Sequence, residues 1–427
     1  MRFNIYKGMQ RVVATVIAMS MTVGLMAADP MATTYSFAQC EGSLTPYPRD
    51  INPAVTPDSL EAVFVNHVGR HGSRFPASST HCFKLAKALD LADSLGTITP
   101  LGRKLRALNS QIIEMSDGQW GALDSLGMAE QRAIATRMFH NFPSVFAGDA
   151  TVSAISSYSP RSMMSMFSFV HQLDRMNNKL EFVTSTGRQN SALMRPFDVD
   201  ADYKEFMSQG LWRPPYDEYF SKNCPITAIS RVLGRDYPYG DTSVAQDLAI
   251  TEYYVLAGLS AMEVHISLSD YFTNPEINAL WSCFNLRQYL QRTATVVSSV
   301  PADIASRLLL NIISTTDEAV ASGTPGACLR FGHAETLMPL LSLMCFPDCY
   351  YLTNYFDTVA QHWKDFYVVP MAANLQIILF KAKKSGNYYV RFDLNEQPVK
   401  VLDGRPLYLP WKVAREYLMN HVPMYMQ

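Results

Sequence analysis

The chain carries little charge and almost no excess of either sign. Of its 427 residues only 17% are charged, and 36 basic against 38 acidic residues give a formal charge of −2. Such a balance offers no overall attraction for nucleic acid or anionic lipid, so an anion-binding site must be a local concentration of basic side chains. Internal repeats and low-complexity tracts are absent, and a hydrophobic content of 48% marks a globular protein able to bury a large core. The seven cysteines (Cys40, Cys82, Cys224, Cys283, Cys328, Cys345, Cys349) contain no CxxC or CxxCH pattern, which argues against redox and haem chemistry. They permit up to three disulfides, Cys345 with Cys349 being one conceivable pair, and buried free thiols are equally compatible with the spacing.

Long apolar runs are missing too, with one exception. Arg2, Lys7 and Arg11 precede the apolar stretch Val12 to Leu25, and small residues follow at Ala27 and Ala28. That is the order of a secretory signal peptide, expected over residues 1–28, and it predicts a secreted or periplasmic protein. The run is shorter than the roughly 18 apolar residues of a membrane anchor. No later segment is long and uncharged enough to span a bilayer.

What is present is an alternation of strands and helices at both ends of the chain. Residues 29–60 read as a proline-punctuated lead-in. Strands are expected at Ala62–Asn66, Thr151–Ser157, Lys179–Val183, Ala327–Phe331, Leu375–Phe380 and Tyr388–Phe392. Helices are expected at Lys84–Leu95, Gly102–Met115, Gly127–Phe139, Pro160–Leu173, Asp247–Ile266 and Thr336–Met344. An α/β sheet domain in two parts, 29–185 and 301–427, with a mainly helical cap over 186–300, follows from this order.

Chemistry gathers at three expected strand ends. After the first comes Arg70-His71-Gly72-Ser73-Arg74-Phe75-Pro76. Two guanidinium forks, which match phosphate oxygens, flank an imidazole able to attack phosphorus. After the second comes Arg161, in the opening turn of a helix, where the dipole disfavours a cation and an anionic partner is worth suspecting. After the third come His333 and Glu335, a hydrogen-bond donor and a general acid. His67 and His71 have an HxxxH spacing, but on a strand such residues lie roughly 13 Å apart, so a zinc site is disfavoured and His67 reads as a hydrogen-bonded structural residue.

These residues also carry a resemblance. Arg70-His71-Gly72-x-Arg74-x-Pro76 is similar to the signature of the histidine acid phosphatase branch of the histidine phosphatase superfamily. Where most of that branch has His-Asp, this chain has His333-Ala334-Glu335-Thr336, and so resembles the multiple inositol-polyphosphate phosphatases, which degrade phytate. Leu193-Met194-Arg195-x-Phe197-Asp198 and Leu394-Asn395-Glu396 are similar to segments of that group. The resemblance runs from about residue 45 to near the C-terminus and is weakest through the cap.

It implies a central mixed sheet flanked by helices with an α-helical cap, a site without metal or cofactor, and an inositol phosphate as substrate. It further implies that His71 attacks phosphorus while Arg70, Arg74, Arg161 and His333 hold the phosphoryl oxygens and Glu335 protonates the leaving alkoxide. Extra basic side chains would meet the other phosphates, with Arg195 and Lys84 as candidates. The alternative is a broad-specificity histidine acid phosphatase acting on sugar phosphates or other monoesters. A protein that binds phosphorylated ligands without turnover is disfavoured because His71 and Glu335 are both present.

Overall fold

Eight strands of the described residues form one mixed sheet: β1 (Leu60–Arg70), β2 (Thr151–Ser156), β3 (Glu181–Ser185), β4 (Gly326–Gly332), β5 (Asn374–Ala382), β6 (Tyr388–Leu394), β7 (Gln397–Val399) and β8 (Leu409–Pro410). The computed structural model describes residues 34–52 and 54–426, so the expected signal segment lies outside the described residues. The chain divides into two units, Met1–Thr34 and Tyr35–Gln427, and every described element belongs to the second. The sheet order is β3-β2-β4-β1-β5-β6-β7, with β8 paired to β6. The first four of these are parallel, and β5, β6 and β7 run antiparallel to their neighbours. Because β4 returns between β1 and β2, their carboxyl ends meet where the chain order reverses, the usual place for a ligand in such sheets.

The strand expected at Ala62–Asn66 is longer than its apolar run and carries on to Arg70. Gly69 permits this, since the ring of His67 lies where a side chain at 69 would go. A bulge between Ala62 and Phe64 sends Ala62 and Val65 to one face of the sheet and Phe64 and Val68 to the other. β5 and β6 form an antiparallel hairpin across residues 383–387, where Gly386 takes a positive φ of 74°.

Each face is covered by helices. On one, α3 (Ser125–Asn141) and α4 (Pro160–Met176) pack Ile134, Met138, Met166 and Phe169 against Val65, Leu329 and Phe331. On the other, α7 (Ser306–Ser322), α8 (Ala334–Leu343) and α9 (Trp411–Asn420) pack Leu309, Ile312, Leu337 and Leu418 against Leu375 and Phe392. Burying one such aliphatic side chain contributes roughly 1.5–3 kcal/mol.

A third core contains no strand residue. It joins α1 (Thr80–Ser94) and α2 (Pro100–Ser116) to the helix Thr227–Leu233, α5 (Thr242–Leu256) and α6 (Asn274–Arg292) through Leu85, Leu105, Ile229, Tyr253 and Trp281. Between β3 and β4 the described residues form helices and turns but no strand. The helix expected at Asp247–Ile266 instead starts at Thr242, capped by Asp241, and ends at Leu256. Beyond Gly258 the chain turns through Glu263 at φ 54°, a left-handed conformation that no α-helix can continue through.

None of the seven cysteines is disulfide-bonded. Cys345 sits at φ 47° just past α8 with its thiol toward Tyr350, while Cys349 packs into the core, so that conceivable pair does not form. His67 is buried between Phe169 and Phe331, and neither ring nitrogen has a hydrogen-bond partner. The expectation of a hydrogen-bonded residue is thus corrected: burial keeps the ring neutral, with a pKa of about 3.

Candidate active site

The ladder between parallel strands continues one residue past their ends. The His71 N–H donates to the Gly332 carbonyl at 3.1 Å, and the Ser157 N–H donates to that of Phe331 at 3.0 Å. Residues 71, 157 and 333 are therefore brought together by sheet register, whatever their distance in sequence. Gly72 then lets the motif loop press against α3: a Cβ there would meet the Gly127 carbonyl oxygen at 2.4 Å. From the same helix, the Glu130 carboxylate accepts from the Ser73 N–H at 2.7 Å and from the Ser73 hydroxyl at 2.7 Å. Gln131 donates to the Arg70 carbonyl at 3.0 Å. The loop that carries the motif is held against α3.

His71 is 3% exposed. Its Nδ1 lies 2.9 Å from its neighbour's carbonyl, Gly72 O, so Nδ1 carries the proton and Nε2 keeps its lone pair. Burial, and then the positive charges of Arg161, Arg70 and Arg74, hold its pKa well below the usual range. A neutral imidazole among guanidiniums is a nucleophile that stays unprotonated in acid.

Arg70 is anchored through Nη1 to the carbonyls of Ser43 and Val369, deep under the cleft. Arg74 is fixed by the bond from its Nη1 to Phe75 O at 2.8 Å. Burial pushes their pKa values down to about 10 and about 9, which leaves both charged near neutral pH. Arg161 follows Pro160 in the first turn of α4, as expected. The Nε atoms of all three arginines are buried without a partner. Three desolvated cations with unspent donors around one imidazole make a strong anion site.

His333 caps α8, and its ring meets that of His71 edge-on with centroids 5.6 Å apart. Its Nε2 receives Arg195 Nη1 at 2.8 Å and lies 2.9 Å from the Ser157 hydroxyl. A guanidinium can only donate, so Nε2 is the acceptor and the proton resides on Nδ1. Burial and the nearby arginines lower its pKa to about 3.

Glu335, in the first turn of α8, opens onto the same cleft with its side chain 36% exposed. Burial alone would raise its pKa, yet Arg292, His333 and Arg70 outweigh it and hold the carboxyl at about 2. The cleft, about 270 Å³, is lined by Arg70, His71, Arg74, Arg161 and Glu335, with His81, Tyr254 and Gln288 on the helical side. A larger groove of about 750 Å³, lined by Arg188, Asp200 and Arg307, contains none of these groups.

The structure thus brings six of the eight expected residues into one place. The other two stand differently. Arg195 lies beside His333 and is not a free cation at the mouth: its Nε bonds Asp198 at 2.5 Å, and its guanidinium packs on Tyr158 and Phe197. Lys84 pairs with Asp247 across α1 and α5 and does not line the cleft. Sequence reasoning missed Arg292, at the end of α6, and Glu130 in α3. Only their position in three dimensions distinguishes them from ordinary helix residues.

No protein-family model matches the chain, but relatives of known function do. Human multiple inositol polyphosphate phosphatase 1 is 24% identical over 412 residues, covering 86% of this chain and 83% of the relative. Its chicken counterpart is 26% identical over 367 residues, covering 81% and 78%. The chain is similar to the multiple inositol polyphosphate phosphatases. Solved structures share the fold: the Bifidobacterium longum multiple inositol polyphosphate phosphatase in complex with inositol hexasulfate matches with a TM-score of 0.75 at 17% identity, over 90% of this chain and 99% of that one. The phytase from D. castellii matches with a TM-score of 0.69 at 17% identity, over 94% and 90%. The mixed sheet with flanking helices is the histidine acid phosphatase fold.

Proposed function

We propose that the chain is a phosphoric monoester hydrolase that acts on inositol polyphosphates, phytate foremost, through a covalent phosphohistidine on His71. One observation carries the reading. A neutral imidazole, tied by Nδ1 to Gly72 O, presents Nε2 among three arginines whose Nε atoms are buried, with a carboxyl group in the same cleft.

In the first step the Nε2 lone pair attacks phosphorus in line. The N–P bond forms as the P–O bond to the inositol breaks, and Glu335 gives its proton to the departing oxygen. Arg70, Arg74, Arg161 and the Nδ1–H of His333 take up the charge on the equatorial oxygens. In the second step the Glu335 carboxylate removes a proton from water, the water oxygen attacks phosphorus, and the N–P bond breaks to return neutral His71 and inorganic phosphate.

Glu335 is ionised in the free enzyme, so the proton of the first step arrives with the substrate. A phosphate monoanion carries one in, and the bound anion raises the carboxyl pKa so that Glu335 can hold it. Arg195 has one nitrogen, Nη2, outside its bonds to Asp198 and His333, and through it would meet a second ring phosphate. The helical layer of α1, α2, α5 and α6 serves as a cap over the cleft, and residues 1–28 direct export.

The test is hydrolysis of phytate and a panel of simple monoesters in EDTA, with His71→Ala as control. Release of phosphate from phytate by the wild type alone, unaffected by chelator, supports the reading. Equal or better turnover of sugar phosphates would favour a broad acid phosphatase, and loss of activity in EDTA would overturn the metal-free mechanism. Recovery of the mature chain outside the cytoplasm, and of a chain lacking residues 1–28 inside it, tests export.

A further inference from the structure

The proposed general acid faces a cation that its own chemistry does not require. Arg292 Nη2 lies 3.7 Å from Glu335 Oε1, close enough for a strong charge interaction but too far for a hydrogen bond. Such a contact biases the carboxyl toward its ionised form without taking up either oxygen in a hydrogen bond. Arg292 is itself fixed. Its Nη1 bonds the Tyr203 hydroxyl, its guanidinium lies 5.9 Å from that ring's centroid, and its Nε is buried without a partner. It ends α6, where the helix dipole favours a cation, and the 19-residue helix is set by a Thr273–Glu276 capping box at its far end. The position is built.

We propose that Arg292 is a positioning residue that keeps Glu335 ionised and aimed in the free enzyme, so that the site is ready for a substrate bringing its own proton. The proposal rests on the reading of Glu335 as general acid and goes beyond it to the form of the enzyme that binds. The groups facing Glu335 are Arg292 from α6, Arg70 from β1, Arg74 from the motif loop, Arg161 from α4 and His333 on its own helix cap. Four of these hold the phosphoryl group and will be engaged by substrate. Arg292 alone approaches the carboxyl from the helical layer, so its charge remains on Glu335 throughout the cycle.

The sign follows directly. Removing the cation raises the Glu335 pKa, so the free enzyme becomes over-protonated as pH falls, and the acid limb of kcat/KM moves up. The experiment compares kcat/KM for phytate across acid pH in wild type, Arg292→Lys and Arg292→Gln, each as a ratio to wild type so that titration of the substrate cancels. The Gln variant should lose at least about threefold relative to wild type between about pH 5.5 and about pH 4, and the Lys variant should follow wild type. In an Arg292→Gln, Glu335→Gln double variant that extra pH dependence should vanish.

A ratio for Arg292→Gln that is flat with pH, whether or not KM rises, would make Arg292 a substrate-binding or packing residue and overturn the proposal. So would an unchanged limb in the double variant. Absence of phytate hydrolysis by the wild type would instead remove the functional reading on which the proposal stands. Circular dichroism of each variant at the same pH values separates unfolding from titration.

Discussion

The floor and the roof of the cleft are made differently. The floor is three strand ends, where Arg70 lies opposite Gly332 and Ser156 opposite Phe331 in fixed register, and every group on it ends its strand or follows it by a few residues. The roof is helical, contributed by segments hundreds of residues apart, and its side chains reach the cleft from helix faces and ends. On the proposed reading the floor supplies what any phosphomonoester needs. On the same reading the roof would meet the parts of a substrate that differ from one ester to another and tune the carboxyl proposed to serve the leaving group.

The largest effect should come from the floor. His71→Ala should cost at least about 10⁴ in kcat on every monoester, phytate and nitrophenyl phosphate alike, in steady-state assays. Arg161→Ala should cost about 10²–10³, again on both substrates, because the group it holds is common to them. A loss confined to phytate would move Arg161 to the roof and break the comparison. Glu335→Gln stands on the boundary. It should lower kcat on phytate by about 10²–10⁴ but initial nitrophenolate release by no more than about tenfold, since only the alkoxide needs a proton. Equal losses on both would count against a general acid. The smallest effect belongs to Lys84→Ala, expected to change kcat/KM for phytate by no more than about twofold, because Asp247 already neutralises a half-exposed lysine outside the cleft.

The same contrast explains what the sequence could tell. The motif of residues 70–76, Arg161 and His333-Ala334-Glu335 were legible because strand ends in a parallel sheet converge by rule, and the apolar runs that mark the strands are local in sequence. Arg195 stood out in the sequence as a candidate, but its setting did not, since that depends on Asp198, Tyr158 and Phe197 closing around it. Arg292 was not legible: a cation in the last turn of a helix is what the dipole would select with no site nearby. Lys84 looked available because its partner, Asp247, lies on a helix 163 residues away. Local pattern locates the elements and their ends, whereas the pairing of charges across helices is settled only by packing.

The most direct test of the account is capture of the phosphorylated enzyme. In Glu335→Gln, nitrophenolate can leave without an acid, but no carboxylate remains to activate water, so the intermediate should accumulate. Mixing this variant with labelled nitrophenyl phosphate and quenching in alkali should yield about one phosphoryl group per chain, acid-labile, on the peptide containing His71. Release of nitrophenolate with no phosphorylated chain, or a label on any other residue, would contradict the phosphohistidine mechanism.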